Sequence, residues 1–233
     1  MDFQLIHVLN RGVDKRKIFL DDQDRFRFIH DLFEFNDQKK VNNVFHSFHK
    51  HEHNEYNDIG CHYIQKPAIP KRNLLVQIHA FCLMPNHYHL LLSPKIDTGI
   101  SQFMQKLNMG YSKYFNEKYK RKGTLFEGKY KSVAIKNESH FIYIPYYIHF
   151  NPLDLEAPEW RKEELKNYKK AMNFLNQYRW SSHLDFMGKK NFPSVTQRTF
   201  LLKVFGGQED YKNSIKAHLK DFSLENIKDN TLE

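Results

Sequence analysis

Two histidines two residues apart open an apolar run in Met84-Pro85-Asn86-His87-Tyr88-His89-Leu90-Leu91-Leu92. The run reads as a strand, where alternate side chains share a face, so His87 and His89 point one way and Tyr88 the other. Two imidazoles on one face can meet a single metal ion. The competing reading is coincidence, because the chain carries 14 histidines. Just before the pair, Ala80-Phe81-Cys82-Leu83-Met84 reads as a second short strand and Pro85-Asn86 as the tight turn between the two. The histidines therefore sit just past a hairpin tip.

A second constellation lies in Glu138-Ser139-His140-Phe141-Ile142-Tyr143-Ile144-Pro145-Tyr146-Tyr147-Ile148-His149-Phe150-Asn151-Pro152. On a helix, Tyr143, Tyr147 and Asn151 lie four apart along one face. If that face covers the histidine strand, Asn151 can offer an oxygen as a third metal ligand while the Tyr147 hydroxyl reaches a bound phosphate. A hydroxyl nucleophile, a divalent cation and a phosphodiester make a complete reaction. Tyrosines on helices are usually packing residues, and Tyr143, Tyr146 and Tyr147 crowd this one. Pro145 either bends the helix or marks its start.

The elements that must position these groups follow from periodicity. Phe3 to Leu9 alternates as a strand ended by Asn10-Arg11-Gly12. A helix capped by Asp22 or Asp24 follows, with Phe26, Ile29, Leu32 and Phe33 at helical spacing. Residues 36–73 break the pattern as a polar insertion or long surface loop. Its His46, His49, His51, His53, Cys61 and His62 lack the spacing of a zinc finger, so a solvated loop is expected. After the hairpin, a helix opened by Thr98 or Ser101 carries Ile100, Phe103, Met104, Leu107, Tyr111, Tyr114 and Phe115 on its apolar side and ends near the basic run at Lys118 to Gly123. Phe126 to Ile135 reads as a strand with alternating rings and cations, followed by the helix from Glu138 to Phe150. Strand, helix, hairpin, helix, strand, helix is the order of an α+β fold, an antiparallel-rich sheet with helices packed on it. Beyond Asn151-Pro152 the character changes. Trp160 to Asn176 is charged and helical, Tyr178-Arg179-Trp180-Ser181-Ser182 is an aromatic turn, and Thr199 to Phe222 gives one or two short helices. The expected division is thus a catalytic domain over 1–152 and a helical C-terminal extension over 153–233.

Lysine and arginine exceed aspartate and glutamate by nine over 233 residues, and 15% of residues are aromatic. That combination suits a polyanion whose phosphates meet cations and whose bases stack on rings. Arg11, Lys129 and Lys131, with Lys120, Arg121 and Lys122 as an outer run, are the candidate nucleic-acid cations; Phe126 and Tyr130 are candidate stacking rings. A solvated cation or a core ring is the alternative at each. Two cysteines indicate no disulfide framework. The first residues lack the pattern of a signal peptide, and no run approaches the roughly 18 apolar residues of a membrane span, so a cytoplasmic, nucleoid-associated protein without membrane partners is expected.

The order Met-Pro-Asn-His-x-His, a helix, Gly-Thr-Leu-Phe-Glu-Gly-Lys-Tyr-Lys-Ser, then Tyr-Ile-x-x-Asn-Pro resembles the single-tyrosine HUH transposases, and within them the REP-associated tyrosine transposase-like proteins of bacteria. The likeness runs from about Leu5 to Pro152. Tyr178-Arg179-Trp180-Ser181-Ser182-His183 and Phe200-Leu201-Leu202-Lys203-Val204-Phe205-Gly206 resemble the tail of that group. The resemblance implies an HUH endonuclease-like sandwich that cleaves and rejoins single-stranded or hairpin DNA. In its terms His87 and His89 bind a divalent ion, Mg²⁺ or Mn²⁺, Asn151 is the remaining ligand, and Tyr147 is the nucleophile that forms a 5′-phosphotyrosine link. The N-terminal Gly-Thr element with which some relatives read the hairpin has no counterpart here. Two other readings stay open at this stage: a nucleic-acid-binding or regulatory module without turnover, and a metal phosphodiesterase using activated water. A homodimer is an alternative to a one-subunit active site.

Overall fold

The computed structural model describes residues 4–39, 72–162 and 165–221. Strands β1 (Ile6–Arg11), β2 (Val76–Met84), β3 (His87–Pro94) and β4 (Lys131–Ala134) form one antiparallel sheet in the order β2-β3-β1-β4. Helices cover both faces, so the chain has the expected α+β class. On one face, α1 (Asp22–Glu34) and α2 (Gly99–Lys118) bury Phe28, Leu32, Phe103, Leu107 and Tyr111 against Val8, Leu83, Tyr88 and Leu90. On the other, α3 (Glu138–Phe150) packs Ile144, Ile148 and Phe150 against Leu5, Ala80, Cys82 and Leu91. Four C-terminal helices follow: α4 (Tyr168–Leu175), α5 (His183–Phe186), α6 (Thr199–Val204) and α7 (Gln208–Asp221). Their Leu175, Phe186, Leu201, Tyr211 and Ile215 share the cluster of α3, so α3 is held between the sheet and this layer.

The sheet keeps its two faces distinct by a local device. In β2, Val76 and Ile78 face the α1/α2 layer, but a β-bulge between Ile78 and Ala80 shifts the alternation, so Phe81 and Leu83 continue on that face while Ala80, Cys82 and Met84 turn to α3. The outer edge of β2 is covered rather than left open. Leu83 N–H donates to Trp180 O (2.8 Å), Ser182 N–H to Phe81 O (3.0 Å) and Gln197 N–H to Ile78 O (2.8 Å).

Several local expectations need correction. The cap of α1 is Asp21, one residue before Asp22 and three before Asp24: its carboxylate accepts from Asp24 N–H in a reciprocal capping box. The strand expected over Phe126 to Ile135 shrinks to Lys131–Ala134, because Gly128, at φ 157°, interrupts the run. Phe126 instead makes an isolated bridge with Gly12. Asn36, placed at the start of the polar insertion, is 3% exposed and belongs to the core edge: its amide oxygen accepts from Leu75 and Val76 N–H, and its Nδ2 donates to Val76 O. The histidines of the insertion and Cys61 lie outside the described residues. The stretch from Trp160 to Asn176 is not one helix; a 3₁₀ turn at Pro158–Lys162 precedes α4.

Lys118 ties the start of α1 to the end of α2. Its ammonium donates to Asp24 Oδ1 (2.7 Å) and to both oxygens of Asp21, with the rings of Tyr114 and Tyr119 alongside. Asp24 is fully buried. Lys118→Met is expected to cost on the order of 2 kcal/mol in denaturant melts. That is below the ~3–5 kcal/mol of a pair broken deep in a core, because the Tyr114 and Tyr119 hydroxyls still serve Asp24. Burial pushes the Asp21 carboxyl up, but the Lys118 contact and the Asp24 N–H outweigh it and set it below 3.8. A depressed carboxyl contributes stability above its unfolded value and loses it as pH falls through the folded one, so the variant should also unfold at a higher pH on the acid side.

Candidate active site

The hairpin tip is clamped before any site is formed. Pro85 O accepts from Ile18 N–H (2.9 Å) and Phe19 N–H, and Asn86 O accepts from Gly12 N–H (2.8 Å). Gly12 is required there, since a Cβ would stand 2.4 Å from Arg16 O. From this fixed tip, β3 directs His87 and His89 to the α3 face and Tyr88 into the opposite core. The two imidazole rings lie 5.0 Å apart. His87 Nδ1–H donates to Asn86 Oδ1 (2.7 Å). His89 Nδ1 is hydrogen-bonded to Nε2 of His7 on β1 (3.0 Å), the rings stacked at 5.2 Å.

Helix α3 spans Glu138–Phe150 straight through Pro145, so Pro145 is interior and not the start. Its position is fixed by His149, which is fully buried and hydrogen-bonded through Nδ1 to the Tyr211 hydroxyl on α7 and through Nε2 to the Ser182 hydroxyl beside β2, both at 2.7 Å. The three crowded tyrosines diverge from there. Tyr143 packs on His218 (5.1 Å), Tyr146 stacks on Tyr211 (5.6 Å, 8°), and Tyr147 stands edge-on to His89 (5.8 Å, 89°) and His7 (6.0 Å, 78°). Asn151 caps the helix one turn later, its Nδ2 donating to Tyr147 O (2.9 Å). The chain then turns through a 3₁₀ segment, Asn151–Leu155, and that at Pro158–Lys162. This return brings Arg161 back over α3: Nη1 donates to the Tyr147 hydroxyl (3.4 Å), Nη2 to Asn151 Oδ1 (3.2 Å), and Nε and Nη2 to Asp154 (2.7 and 2.6 Å).

Burial lowers the His87 pKa to about 4, helped by the charges of Arg11 and Arg161 and opposed by Asp154. Burial likewise holds His89 well below its ordinary value, with His87 and His7 adding to the effect. Both imidazoles are therefore neutral near pH 7, the form that ligates metal. His87 Nε2 is buried without a hydrogen-bond partner among the described residues. Among those residues no three His, Cys, Asp or Glu side chains are arranged to hold a metal.

The expected nucleic-acid residues separate into groups. Arg11, Lys129 and Lys131 line one cavity of about 280 Å³ with Leu9, Asn10, Glu127 and Gly128. It adjoins the histidines, because Arg11 pairs with His87 across β1 and β3. Lys120 and Lys122 are exposed at the end of α2, whereas Arg121 is bound to Asn116 Oδ1 (3.1 Å) and lies over Phe115. Phe126 is 6% exposed and edge-on to Tyr88 (5.9 Å), so its ring belongs to the core and is not offered to bases. Tyr130 is half-buried against the same core.

Sequence reasoning passed over His7, Asp154 and Arg161. His7 left a signal, a polar side chain on an otherwise apolar strand face between Leu5 and Leu9. Asp154 and Arg161 left none, since only the 3₁₀ return after Asn151 brings them to Tyr147. No described helix is long and apolar enough to cross a membrane.

Residues 71–151 match the family described as IS200-like transposases, a span that holds His87, His89, Tyr147 and Asn151. No match is found among curated proteins. A solved structure of the REP-associated tyrosine transposase bound to a REP hairpin is 10% identical and aligns over 82% of this chain and 84% of that one, with a TM-score of 0.44. Over residues 71–151 the chain is similar to the IS200-like transposases.

Proposed function

We propose that the protein is a metal-dependent single-stranded DNA endonuclease and strand transferase that works through a covalent 5′-phosphotyrosine on Tyr147. The packing of Tyr147 edge-on against His89 and His7, with Asn151 one turn away, carries this reading, because it brings a tyrosine that could act as nucleophile up to imidazoles that could hold a metal ion. His87, His89 and Asn151 would hold Mg²⁺ or Mn²⁺. The hydrogen bond at His87 Nδ1 fits that role, since it fixes the imidazole as an outer partner does around a metal-binding histidine and leaves the buried Nε2 for coordination. Such an ion supplies Lewis-acid stabilisation of the charge that builds on the phosphate and the departing oxygen.

The chain's own residues do the rest. Tyr147 Oη forms a bond to phosphorus as the bond from phosphorus to the 3′-oxygen breaks; the phenol gives up its proton and the 3′-oxygen gains one. Attack by a 3′-hydroxyl reverses the step and rejoins a strand. The cavity lined by Arg11, Lys129 and Lys131 takes the strand's phosphates next to His87. Joint substitution of the three by glutamine should reduce the slope of log affinity against log salt by about 2, from ~0.7 per single-strand phosphate contact.

The direct test is incubation with hairpin-containing single-stranded DNA and Mn²⁺, followed by denaturing electrophoresis. A denaturation-resistant protein–DNA adduct is expected. Cleavage without adduct would favour activated water as nucleophile, and binding without cleavage would favour a module without turnover; either result overturns the proposal.

A further inference from the structure

We infer that Arg161 is a further catalytic residue, one that binds the phosphate attacked by Tyr147; this rests on the function proposed above. Its guanidinium is built into the site. Asp154 takes Nε (2.7 Å) and Nη2 (2.6 Å) in a forked pair, which fixes the plane of the group, and Trp160 lies against it at 4.8 Å while donating its own Nε1–H to Asp154 (2.7 Å). Held this way, Nη1 is directed to the Tyr147 hydroxyl at 3.4 Å and Nη2 to Asn151 Oδ1 at 3.2 Å.

The Tyr147 oxygen is the atom that bonds to phosphorus. The non-bridging oxygens of the phosphate stand one bond angle away from it, within the reach of a guanidinium that already touches it. A 3.4 Å contact is at the long end for a hydrogen bond, as is common before substrate enters. A planar donor fork matched to phosphate geometry is what stabilises the extra charge of phosphoryl transfer. Arg161 stays protonated throughout, so it neither takes the phenol proton nor supplies one to the 3′-oxygen.

The test uses the full chain and a DNA strand whose cleavage position has been mapped with the unaltered protein, made with either the natural diester or an uncharged methylphosphonate at that position. Arg161→Ala should slow adduct formation at saturating DNA by about 100-fold on the diester, as loss of one transition-state donor does elsewhere, with DNA affinity within ~3-fold. On the methylphosphonate the two proteins should differ by no more than ~3-fold, because the charge that Arg161 meets is gone. Added guanidinium should restore part of the Arg161→Ala rate on the diester. If Arg161→Ala fails to fold, Arg161→Lys replaces it, keeping the charge without the fork; about a 10-fold loss on the diester and little on the methylphosphonate is expected. An equal deficit on both linkages means that Arg161 serves only packing and overturns the inference, as does an unaltered rate on the diester. A lack of adduct with the unaltered protein instead removes the proposed function, and this inference with it.

Discussion

Tyr147→Phe should abolish the covalent protein–DNA adduct, by at least ~10⁴-fold in rate, while single-stranded DNA affinity stays within about 3-fold. Only the phenolic oxygen differs between the two proteins. The ring of the variant keeps its packing on His7, His89 and Trp160, so the fold around the site is preserved. What is lost is one oxygen in contact with Arg161, worth about 1 kcal/mol of stability and the whole of the nucleophile. Tyr143→Phe and Tyr146→Phe are the controls from the same helix. Tyr143 packs on His218, and Tyr146 is stacked on Tyr211 and hydrogen-bonded to Ser214, so both should form adduct at rates close to the unaltered protein. Persistent adduct in Tyr147→Phe combined with its loss in Tyr143→Phe would move the nucleophile one turn along α3.

Features that obey a local period were legible in the sequence. The hairpin at Pro85-Asn86, the division of His87 and His89 from Tyr88, and the extent of α3 all follow from alternation, turn chemistry and four-residue spacing. The structure agrees because those residues also face a core that rewards the period. Features set by distant partners were not legible. Phe126 and Tyr130 fit a stripe of rings and cations, yet Phe126 is drawn inward by Tyr88 on a strand roughly forty residues earlier. Asn36 looks like the first residue of a polar loop, but its side chain substitutes for a strand partner at Leu75 and Val76. The bulge at Ile78/Ala80 has no marker such as Gly or Pro, although it decides which residues of β2 face α3. Around the site itself the spacing located one cluster on β3 and another on α3. The pairing of β1 with β3, which adds His7, and the return of the chain after Asn151, which adds Asp154 and Arg161, are tertiary events without a local signature.

His87→Ala should reduce adduct formation at a fixed, limiting Mn²⁺ concentration by at least ~100-fold and remove the stabilisation that Mn²⁺ confers, and that pairing is the mark of a ligand as opposed to a packing residue. His87 is 7% exposed, and its Nε2 is buried without a hydrogen-bond partner among the described residues. A buried nitrogen of that kind costs stability in the metal-free protein, so its removal offsets part of what the lost ring packing and the lost bond to Asn86 cost. Metal separates the two proteins further. An ion that binds only the folded protein adds about 2.7 kcal/mol at a hundred times its dissociation constant, so Mn²⁺ should raise the melting temperature of the unaltered protein and leave that of His87→Ala almost unchanged. Asn86→Ala should fall between the two. Its amide oxygen accepts the Nδ1 proton of His87 and so presents Nε2, and removing such an outer partner weakens metal binding by roughly 10–100-fold while the ligand itself remains. Chelation by EDTA should suppress the adduct in the unaltered protein, and added Mn²⁺ should restore it. If Mn²⁺ raises the melting temperatures of the unaltered protein and His87→Ala equally, or if adduct formation persists in EDTA, the imidazoles on β3 are not holding a catalytic ion and Tyr147 must be activated by the surrounding side chains alone.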